Sequence, residues 1–376
     1  MANDDDRPKD EVGLALSGGG FRAALFHLGT LWRLNEFGIL AGLGRVSSVS
    51  GGAITAGVLA TRWSSLGLVQ GRVARLIEEV VEPVRAFCRL SLDAAAVGEG
   101  LLLPWRSATD AVERAYADHL FGARTLRDLP ADPAFVFNST NLQTGRSFRF
   151  TKRYIGDYTI GLVDDAPVPL ARVVAASSAF PPFLSPVVLE APGPFRAVEG
   201  SIHHGDPAFT RRLHLTDGGA YDNLGLETVW NRCRTVLVSD AGAPFATTSE
   251  VETDWVRQTL RALDIATDQS RGLRKRALVD QFERGDRDGT YWGIDSAIAG
   301  YGLDDALTCD PGLVAALARI RTRLDHTDDE TQERLINWGY ALCDAAVRRH
   351  APQLARPDAP RPDWPYPQRK LGSAPS

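Results

Sequence analysis

The turn on which this chain of 376 residues depends is RVSSVSGGAITAG, residues 45–57. It begins as a short, partly apolar strand and ends in small residues that suit a closely packed helix. Between the two, Ser50 is followed by two glycines. A serine on a sharp strand-to-helix turn projects from the backbone, and the free N–H groups of the helix N-terminus can stabilise an oxyanion. The pattern predicts a nucleophile at Ser50, although Ser-Gly-Gly is also typical of an ordinary loop.

A glycine-rich turn lies earlier in the chain. Residues 12–16 are apolar and predict a buried strand, residues 17–22 read SGGGFR, and residues 23–34 have helical periodicity. Glycines have no side chains, so such a loop can bring successive backbone N–H groups close to an anion. The loop therefore suits either a phosphate cradle for a nucleotide or an oxyanion hole.

The residues around the loop fit the nucleotide alternative poorly. No Gly-Lys-Ser/Thr follows, and the sixth position counted from Gly18 is Ala23 instead of the glycine of a dinucleotide-binding fingerprint. Two adjacent parallel strands with a crossover helix would put this loop and Ser50 at the same carboxyl edge of a sheet. A nucleophile and N–H donors around one carbonyl carbon are what acyl transfer requires.

A third turn at a strand end comes far downstream. Residues 213–217 (LHLTD) predict a strand, Gly218 and Gly219 follow directly, and a helix begins near Leu226. A carboxylate at such a turn can accept the serine proton when burial raises its pKa. Asp217 is thus the candidate base, although Asp-Gly-Gly is also typical of a plain turn.

Composition limits the classes of function. The chain is 44% hydrophobic with a net charge of −5, an ordinary globular balance that gives no indication of nucleic-acid binding. The acidic N-terminus lacks the apolar segment of a signal peptide, and no apolar run is long enough to span a membrane. Four widely spaced cysteines favour free thiols in a reducing compartment. We expect a cytoplasmic protein, and a peripheral contact with the membrane stays open.

The rest of the sequence predicts a single domain over residues 11–350, between a disordered start at 1–10 and a loose, proline-rich tail at 351–376. Residues 65–130 predict helices that cover the sheet. Their apolar patch at 97–105 alternatively suits a lid or a surface that docks to lipid. Further helical patterns occur over residues 251–284, 312–323 and 331–349.

Several other polar side chains could be taken for functional groups. Ser177 and Ser178 lie within or at the end of a predicted helix, where packing or capping is expected. His203 and His204 are neighbours that would point to opposite faces of a strand, so no metal site is predicted there. His27 belongs to the first predicted helix, and we assign it to packing or helix support instead of base catalysis.

Together, the three turns resemble those of the patatin-like phospholipases. Members of that family carry a Gly-Gly-Gly-x-Arg oxyanion loop, then a Gly-x-Ser-x-Gly elbow, and far downstream an Asp-Gly-Gly. The matching segments here are residues 18–22, 48–52 and 217–219. The resemblance extends over residues 12–240, and the order and spacing of the motifs make it specific. Ser48 replaces the first glycine of the elbow, and because serine is small we do not expect this to prevent catalysis.

The resemblance implies an α/β fold, a three-layer sandwich with a central, mostly parallel sheet, and a dyad of Ser50 and Asp217 instead of a triad. A dyad fits the absence of a suitable late histidine, since only His326 and His350 follow the acid. Arg22 would orient the loop or contact a substrate phosphate. The oxyanion hole is assigned to backbone N–H groups of Gly18, Gly19, Gly20 and Gly51.

The implied activity is hydrolysis of lipid acyl esters, of the phospholipase A or lysophospholipase type, on phospholipid or lysophospholipid and without a metal or cofactor. Two alternatives stay open. One is a catalytically silent relative that binds lipid. The other is a bacterial effector phospholipase that is gated by a signal or a partner. Residues 241–376 are not explained by the motifs and could carry that control.

Overall fold

The apolar runs of the sequence form the centre of a mixed β-sheet in the computed structural model, which describes residues 9–92, 108–181 and 184–372. The strands are β1 (Lys9–Leu16), β2 (Leu43–Ser48), β3 (Leu68–Val69), β4 (Arg72–Val73), β5 (Ala134–Asn141), β6 (Arg146–Phe150), β7 (Tyr154–Asp157), β8 (Gly161–Asp164), β9 (Val187–Glu190), β10 (Arg212–Asp217), β11 (Cys233–Asp240) and β12 (Asp288–Gly293).

Helices connect and cover these strands. They are α1 (Gly20–Glu36), α2 (Gly51–Arg62), α3 (Glu82–Phe87), α4 (Ala108–Tyr116), α5 (Leu170–Ser177), α6 (Pro207–Thr210), α7 (Gly219–Asp222), α8 (Glu227–Trp230), α9 (Trp255–Arg284), α10 (Pro311–Ala318) and α11 (Asp329–His350). Single π-helical turns occur at Ile77–Val81 and Ala117–Phe121. In the part of the chain that the structure describes, no helix is both long and apolar enough to cross a bilayer.

The main sheet has the order β12-β11-β1-β2-β5-β6-β7-β8. Its first five strands are parallel, and β6 to β8 continue as an antiparallel meander. β10 is antiparallel to both β5 and β9. The parallel strands are buried along most of their length, as expected for a sheet covered on both faces. The predicted α/β fold with a central, mostly parallel sheet is confirmed.

Alternation along the strands divides the interior into two cores. Leu14 and Leu16 of β1, with Leu237 of β11, belong to the larger core beneath α1, α2 and α11. Ala15 and Val236 point to the other face and belong to the core under α8 and α9. Successive side chains of a strand point to opposite faces, so the two cores establish helices on both sides of the sheet. This is the predicted three-layer arrangement.

Helices α1 and α11 cross at two glycines. A Cβ atom on Gly29 would lie 1.9 Å from the carbonyl oxygen of Ile336, and one on Gly339 would lie 1.9 Å from that of Phe26. Glycine inside a helix is unfavourable by about 1 kcal/mol relative to alanine. The close approach of the two backbones explains why glycine occupies both positions, and it fixes α1, whose N-terminus follows the glycine loop.

Gly339→Ala is expected to lower the free energy of unfolding by about 1–3 kcal/mol, because the added methyl group cannot fit without moving α11 away from α1. Urea unfolding followed by circular dichroism measures the effect. Gly300→Ala is the matched control, since a Cβ atom there meets nothing within 4 Å. Equal midpoints for the two variants would contradict the close crossing.

The prediction of a loose C-terminal tail is wrong for residues 351–372. The buried amide nitrogen of Asn337 donates hydrogen bonds to the carbonyl oxygens of Tyr366 and Arg369, both at 2.9 Å. Leu371 is buried against the core. A proline-rich segment is expected to be disordered only when it has no contacts with the rest of the fold. Here Asn337 of α11 binds the backbone of the segment, and the buried side chain of Leu371 packs its end against the core.

Two other predictions concern residues that the structure does not describe. The expected disorder at 1–10 falls outside the described residues for 1–8, while Lys9 and Asp10 belong to β1. The apolar patch at 97–105, predicted as a helical layer, a lid or a docking surface, also lies outside them. The cysteines are free thiols, as predicted, and three of the four are buried.

Candidate active site

The turn between β2 and α2 holds Ser50 in a strained conformation. Its φ is 52° and its ψ is −119°, a region that costs a non-glycine residue about 1–3 kcal/mol. The surrounding backbone enforces this conformation. The Ser50 N–H donates to the Ser177 hydroxyl at 3.0 Å, and a Cβ atom on Gly52 would lie 2.5 Å from the Leu16 carbonyl oxygen. Strain at a strand-to-helix turn is what a projecting nucleophile requires.

The departure from the elbow motif at Ser48 is accommodated without a clash. This side chain is fully buried, and its hydroxyl donates to the Val136 carbonyl on β5 at 3.3 Å. Next to it, the Asn138 amide donates to the Ser48 carbonyl and to the Ser47 hydroxyl, both at 2.9 Å. The first position of the elbow therefore tolerates a serine because neighbouring strands supply its hydrogen bond.

Strand topology brings Asp217 to this turn. β2 pairs with residues 134–137 of β5, and β10 pairs with residues 139–141. Strands β2 and β10 must lie along the same edge of β5, because β6 pairs with its other edge. Since β10 is antiparallel to β5, the carboxyl ends of β2 and β10 face each other along this edge. The pairs Ser48–Phe137 and Asp217–Ser139 are two residues apart on β5, or about 7 Å.

Asp217 is buried and well oriented. Its carboxyl oxygen accepts the Gly219 N–H at 2.7 Å, and its backbone carbonyl accepts the Thr140 hydroxyl at 2.9 Å. Burial raises the pKa of the Asp217 carboxyl to about 7, while hydrogen bonds from the Gly219 N–H and from the Ser50 hydroxyl oppose that rise. A carboxyl that contacts the hydroxyl of Ser50 and titrates near neutrality suits a general base.

The glycine loop lies directly against Ser50 and Gly51. A Cβ atom on Gly18 would lie 3.2 Å from the Ser50 Cβ, and one on Gly51 would lie 2.0 Å from the Gly20 carbonyl oxygen. Gly19 and Gly20 have φ values of 147° and 60°, which side chains disfavour. Glycine is therefore required for the backbone to approach this closely.

Not every predicted oxyanion donor is available. The Gly18 N–H donates to the Asn223 carbonyl at 3.0 Å, so the prediction for Gly18 is corrected: its N–H group holds the loop in place. Within the described residues, the N–H groups of Gly19, Gly20 and Gly51 have no hydrogen-bond acceptor. These remaining groups can donate to an oxyanion at Ser50.

A buried histidine supports the base of the loop. His27 Nε2 lies 2.9 Å from the Ser17 carbonyl oxygen, and Nδ1 lies 2.9 Å from the Ser239 hydroxyl. Burial lowers the pKa of His27 to about 4, so the ring is neutral at pH 7. A carbonyl only accepts, so Nε2 donates to Ser17 and Nδ1 accepts from Ser239. This is the supporting role expected from the sequence.

Arg22 orients the loop. Its buried guanidinium donates to the Ala241 carbonyl at 3.0 Å, to the Ile320 carbonyl and to the Thr322 hydroxyl at 3.1 Å. Burial lowers the pKa of Arg22 to about 10. Of the two predicted roles, this environment supports loop orientation. The prediction that Arg22 contacts a substrate phosphate is not supported, because the N–H groups of its guanidinium already donate to protein groups.

The C-terminal part of the chain also contacts the loop backbone. The Phe21 N–H donates to the Arg323 carbonyl at 3.0 Å, and a Cβ atom on Gly20 would lie 2.4 Å from the same oxygen. Residues 320–323 therefore help to set the loop geometry. No motif indicated this, since the contacting residues are some 300 positions apart and the contacts are mostly to backbone carbonyls.

Other polar residues that the sequence suggested have structural environments. Ser177 donates to the Asn138 carbonyl at 2.7 Å besides accepting the Ser50 N–H. Ser177 therefore has the packing role that was predicted, and this packing also holds the backbone of Ser50. His203 stacks on Phe209 with ring centres 3.9 Å apart. In residues 9–92, 108–181 and 184–372, no three His, Cys, Asp or Glu side chains are grouped to hold a metal ion.

Residues 14–230 match a family model described as Patatin-like phospholipase. No curated protein matches the sequence. Among solved structures, human GIVD cytosolic phospholipase A2 is similar at 14% identity and a TM-score of 0.48, over 92% of this chain and 59% of that one. VipD from Legionella pneumophila is similar at 16% identity and a TM-score of 0.35, over 91% of this chain and 67% of that one. This chain thus spans about three fifths of the human enzyme's length.

Proposed function

Because the chain belongs to the patatin-like phospholipase family, we propose that it hydrolyses acyl esters of phospholipid or lysophospholipid, with Ser50 as nucleophile and Asp217 as base. One observation carries the proposal: Ser50, on a strained turn, meets the buried Asp217 carboxyl where the ends of β2 and β10 face each other. Burial raises the pKa of that carboxyl, and the Ser50 hydroxyl lowers it. A nucleophile hydrogen-bonded to a base is the arrangement that activates a serine for acyl transfer.

In the proposed reaction, Asp217 accepts the proton of Ser50 Oγ as that oxygen attacks the ester carbonyl carbon. The resulting oxyanion is bound by the N–H groups of Gly19, Gly20 and Gly51, each worth about 3 kcal/mol of barrier. The ester C–O bond then breaks, and Asp217 returns the proton to the departing alcohol oxygen. Asp217 next deprotonates a water molecule that attacks the acyl carbon. The bond from that carbon to Ser50 Oγ then breaks, Asp217 returns the proton to Oγ, and the fatty acid leaves.

Release of fatty acid from mixed micelles of phosphatidylcholine and lysophosphatidylcholine tests the proposal. The full chain is expected to release acid from at least one of these lipids. A chain that binds the micelles and releases none, under conditions in which it is folded, would instead fit the catalytically silent relative.

The rate should rise with pH through the pKa of Asp217, because only the ionised carboxylate can accept the serine proton. We expect kcat/KM for a neutral p-nitrophenyl ester to increase with an inflection near pH 7 and to reach a plateau above it. Such an ester does not itself titrate in this range. An inflection near pH 4, the ordinary range for an aspartate, would contradict the assignment of the buried carboxyl.

Arg22→Ala separates the two roles considered for this residue. Because the guanidinium holds the Ala241 and Ile320 carbonyls, its loss should disturb the oxyanion loop and lower kcat by about 10–100-fold for a phospholipid and for a neutral p-nitrophenyl ester alike. Arg22→Lys, which keeps the charge and one donor group, should recover part of the loss. A rise in KM confined to the phospholipid would show instead that Arg22 binds the phosphate.

A gated form of the same enzyme is the second candidate. It is favoured by the hydrogen bond from the Phe21 N–H to the Arg323 carbonyl, because movement of residues 320–323 would move the oxyanion loop. The two candidates differ in one result. A chain that a fluorophosphonate labels at Ser50, but that releases fatty acid only after a cell extract is added, is gated.

A further inference from the structure

A largely apolar cavity of about 380 Å³ lies in the C-terminal part of the chain, beyond the residues that match the family model. One wall is the segment after β12, which includes Ile294 and Ala299. The other walls come from α10, with Ala315, and from α11, with the buried ring of Trp338. This volume is at the low end of the range of small-molecule pockets, about 300–1,000 Å³.

The cavity is separate from the catalytic dyad. It lies beside the carboxyl end of β12, which is three strand spacings, or about 14 Å, from β2 and Ser50. Arg22 stands between the two, because its guanidinium binds the carbonyls of Ala241 and Ile320. Pro244 and Arg319, which line the cavity, are near neighbours of those two residues in the chain.

One side chain at the cavity, Arg319, can bind an anionic group. Two charged residues line the cavity, Asp295 and Arg319. Asp240 and, to a smaller extent, Asp295 raise the pKa of Arg271, but the ion pairs of Arg271 are with Asp240 at 3.7 Å and Asp268 at 3.5 Å. Arg319 is exposed, and among the residues that the structure describes its guanidinium has no ion pair or hydrogen bond. The cavity therefore combines apolar walls with one exposed guanidinium, at Arg319, that can bind an anionic group.

We propose that this cavity binds a fatty acid, with the hydrocarbon chain among the apolar side chains and the carboxylate at Arg319. Its size suits one hydrocarbon chain and not the two of a phospholipid. The assignment follows from the chemistry of the cavity and does not depend on the hydrolase activity. The wall at Ala318 and Arg319 continues into residues 320–323, so the bound acid lies next to the segment that contacts the oxyanion loop.

The test uses the full chain carrying Ser50→Ala, so that no lipid is turned over, and isothermal titration with monomeric dodecanoate. One saturable site is expected. Ala315→Phe and Ala299→Phe fill the cavity from opposite walls, and each should weaken binding at least tenfold. Ala316→Phe is the matched control, because Ala316 is the exposed neighbour on α10 that does not line the cavity, and it should leave binding unchanged.

Arg319→Gln tests the position of the carboxylate. It should weaken dodecanoate binding by up to about fivefold, as expected for one exposed ion pair, and leave dodecanol binding unchanged. Because Ala315→Phe and Ala299→Phe lie on different elements, one of them can still test the proposal if the other fails to fold.

The proposal is overturned if the Ser50→Ala chain shows no saturable binding, or if the filling variants bind as well as Ala316→Phe. It is also overturned if wild type carrying a covalent alkyl phosphonate on Ser50 no longer binds dodecanoate, because the chain would then lie in the catalytic cleft. Fatty-acid release by the wild type is measured separately, so failure of the hydrolase proposal leaves the binding result intact.

Discussion

Ser50→Ala is expected to lower the rate of fatty-acid release by about 10⁴-fold or more, the size of loss typical when the nucleophile of a serine hydrolase is removed. The reason is chemical: without Oγ no acyl-enzyme can form, and the glycine N–H groups then stabilise only direct attack by water. The measurement is release of acid from lysophosphatidylcholine micelles by equal concentrations of folded wild type and variant.

Ser48→Ala is the matched control for this change. It removes a hydroxyl two residues away whose only hydrogen bond in the described residues is to the Val136 carbonyl at 3.3 Å. We expect it to change the rate by less than about tenfold, since a single neutral hydrogen bond contributes about 1 kcal/mol. Similar losses in the two variants would point to damage of the turn and not to a nucleophile.

Asp217→Asn is expected to lower kcat/KM by about 10²–10⁴-fold, the usual contribution of a general base. In the wild type the Gly219 nitrogen lies 2.7 Å from the carboxyl oxygen of Asp217. The amide oxygen of asparagine can still accept this hydrogen bond, so the turn should keep its shape. What is lost is the ability to take the Ser50 proton. Retention of more than about a tenth of the activity would contradict the role of Asp217.

Stability distinguishes this loss from unfolding. The Asp217 pKa rises from 3.8 in the unfolded chain to about 7 in the folded one. Between these values the folded protein retains a proton that the unfolded chain has lost. The free energy of unfolding of the wild type therefore falls as pH rises through this window, by about 4 kcal/mol in total. Asp217→Asn lacks this pH dependence, so above pH 7 it should be much less active and yet more stable than the wild type.

The turn that holds Ser50 and the order of the core elements could be predicted because their signals are local. Apolar runs indicated β1 and β2, and the small residues around Ser50 indicated the turn and α2. Each of these features needs only its own stretch of backbone. The prediction of Asp217 needed the resemblance to a family, since Asp-Gly-Gly by itself is typical of many turns.

The features that could not be predicted depend on contacts between distant parts of the chain. Strand β10 runs antiparallel to β5 and meets β2 end to end. Strand pairing decides this arrangement, and the periodicity of the sequence does not indicate which strands pair. The partners of Arg22 at residues 320–322 are two backbone or side-chain acceptors without a sequence signature. The prediction for the tail at 351–372 was wrong because its proline content does not indicate that Leu371 is buried or that the Tyr366 carbonyl binds Asn337.

The most direct test of the central claim is labelling with an alkyl fluorophosphonate, followed by mass mapping of the adduct at several pH values. One adduct is expected, on Ser50, and it should form faster as pH rises through about 7. Labelling should also be slower by about 10²-fold or more in Asp217→Asn. An adduct on another serine, or a rate in Asp217→Asn equal to that of the wild type, would contradict the dyad of Ser50 and Asp217.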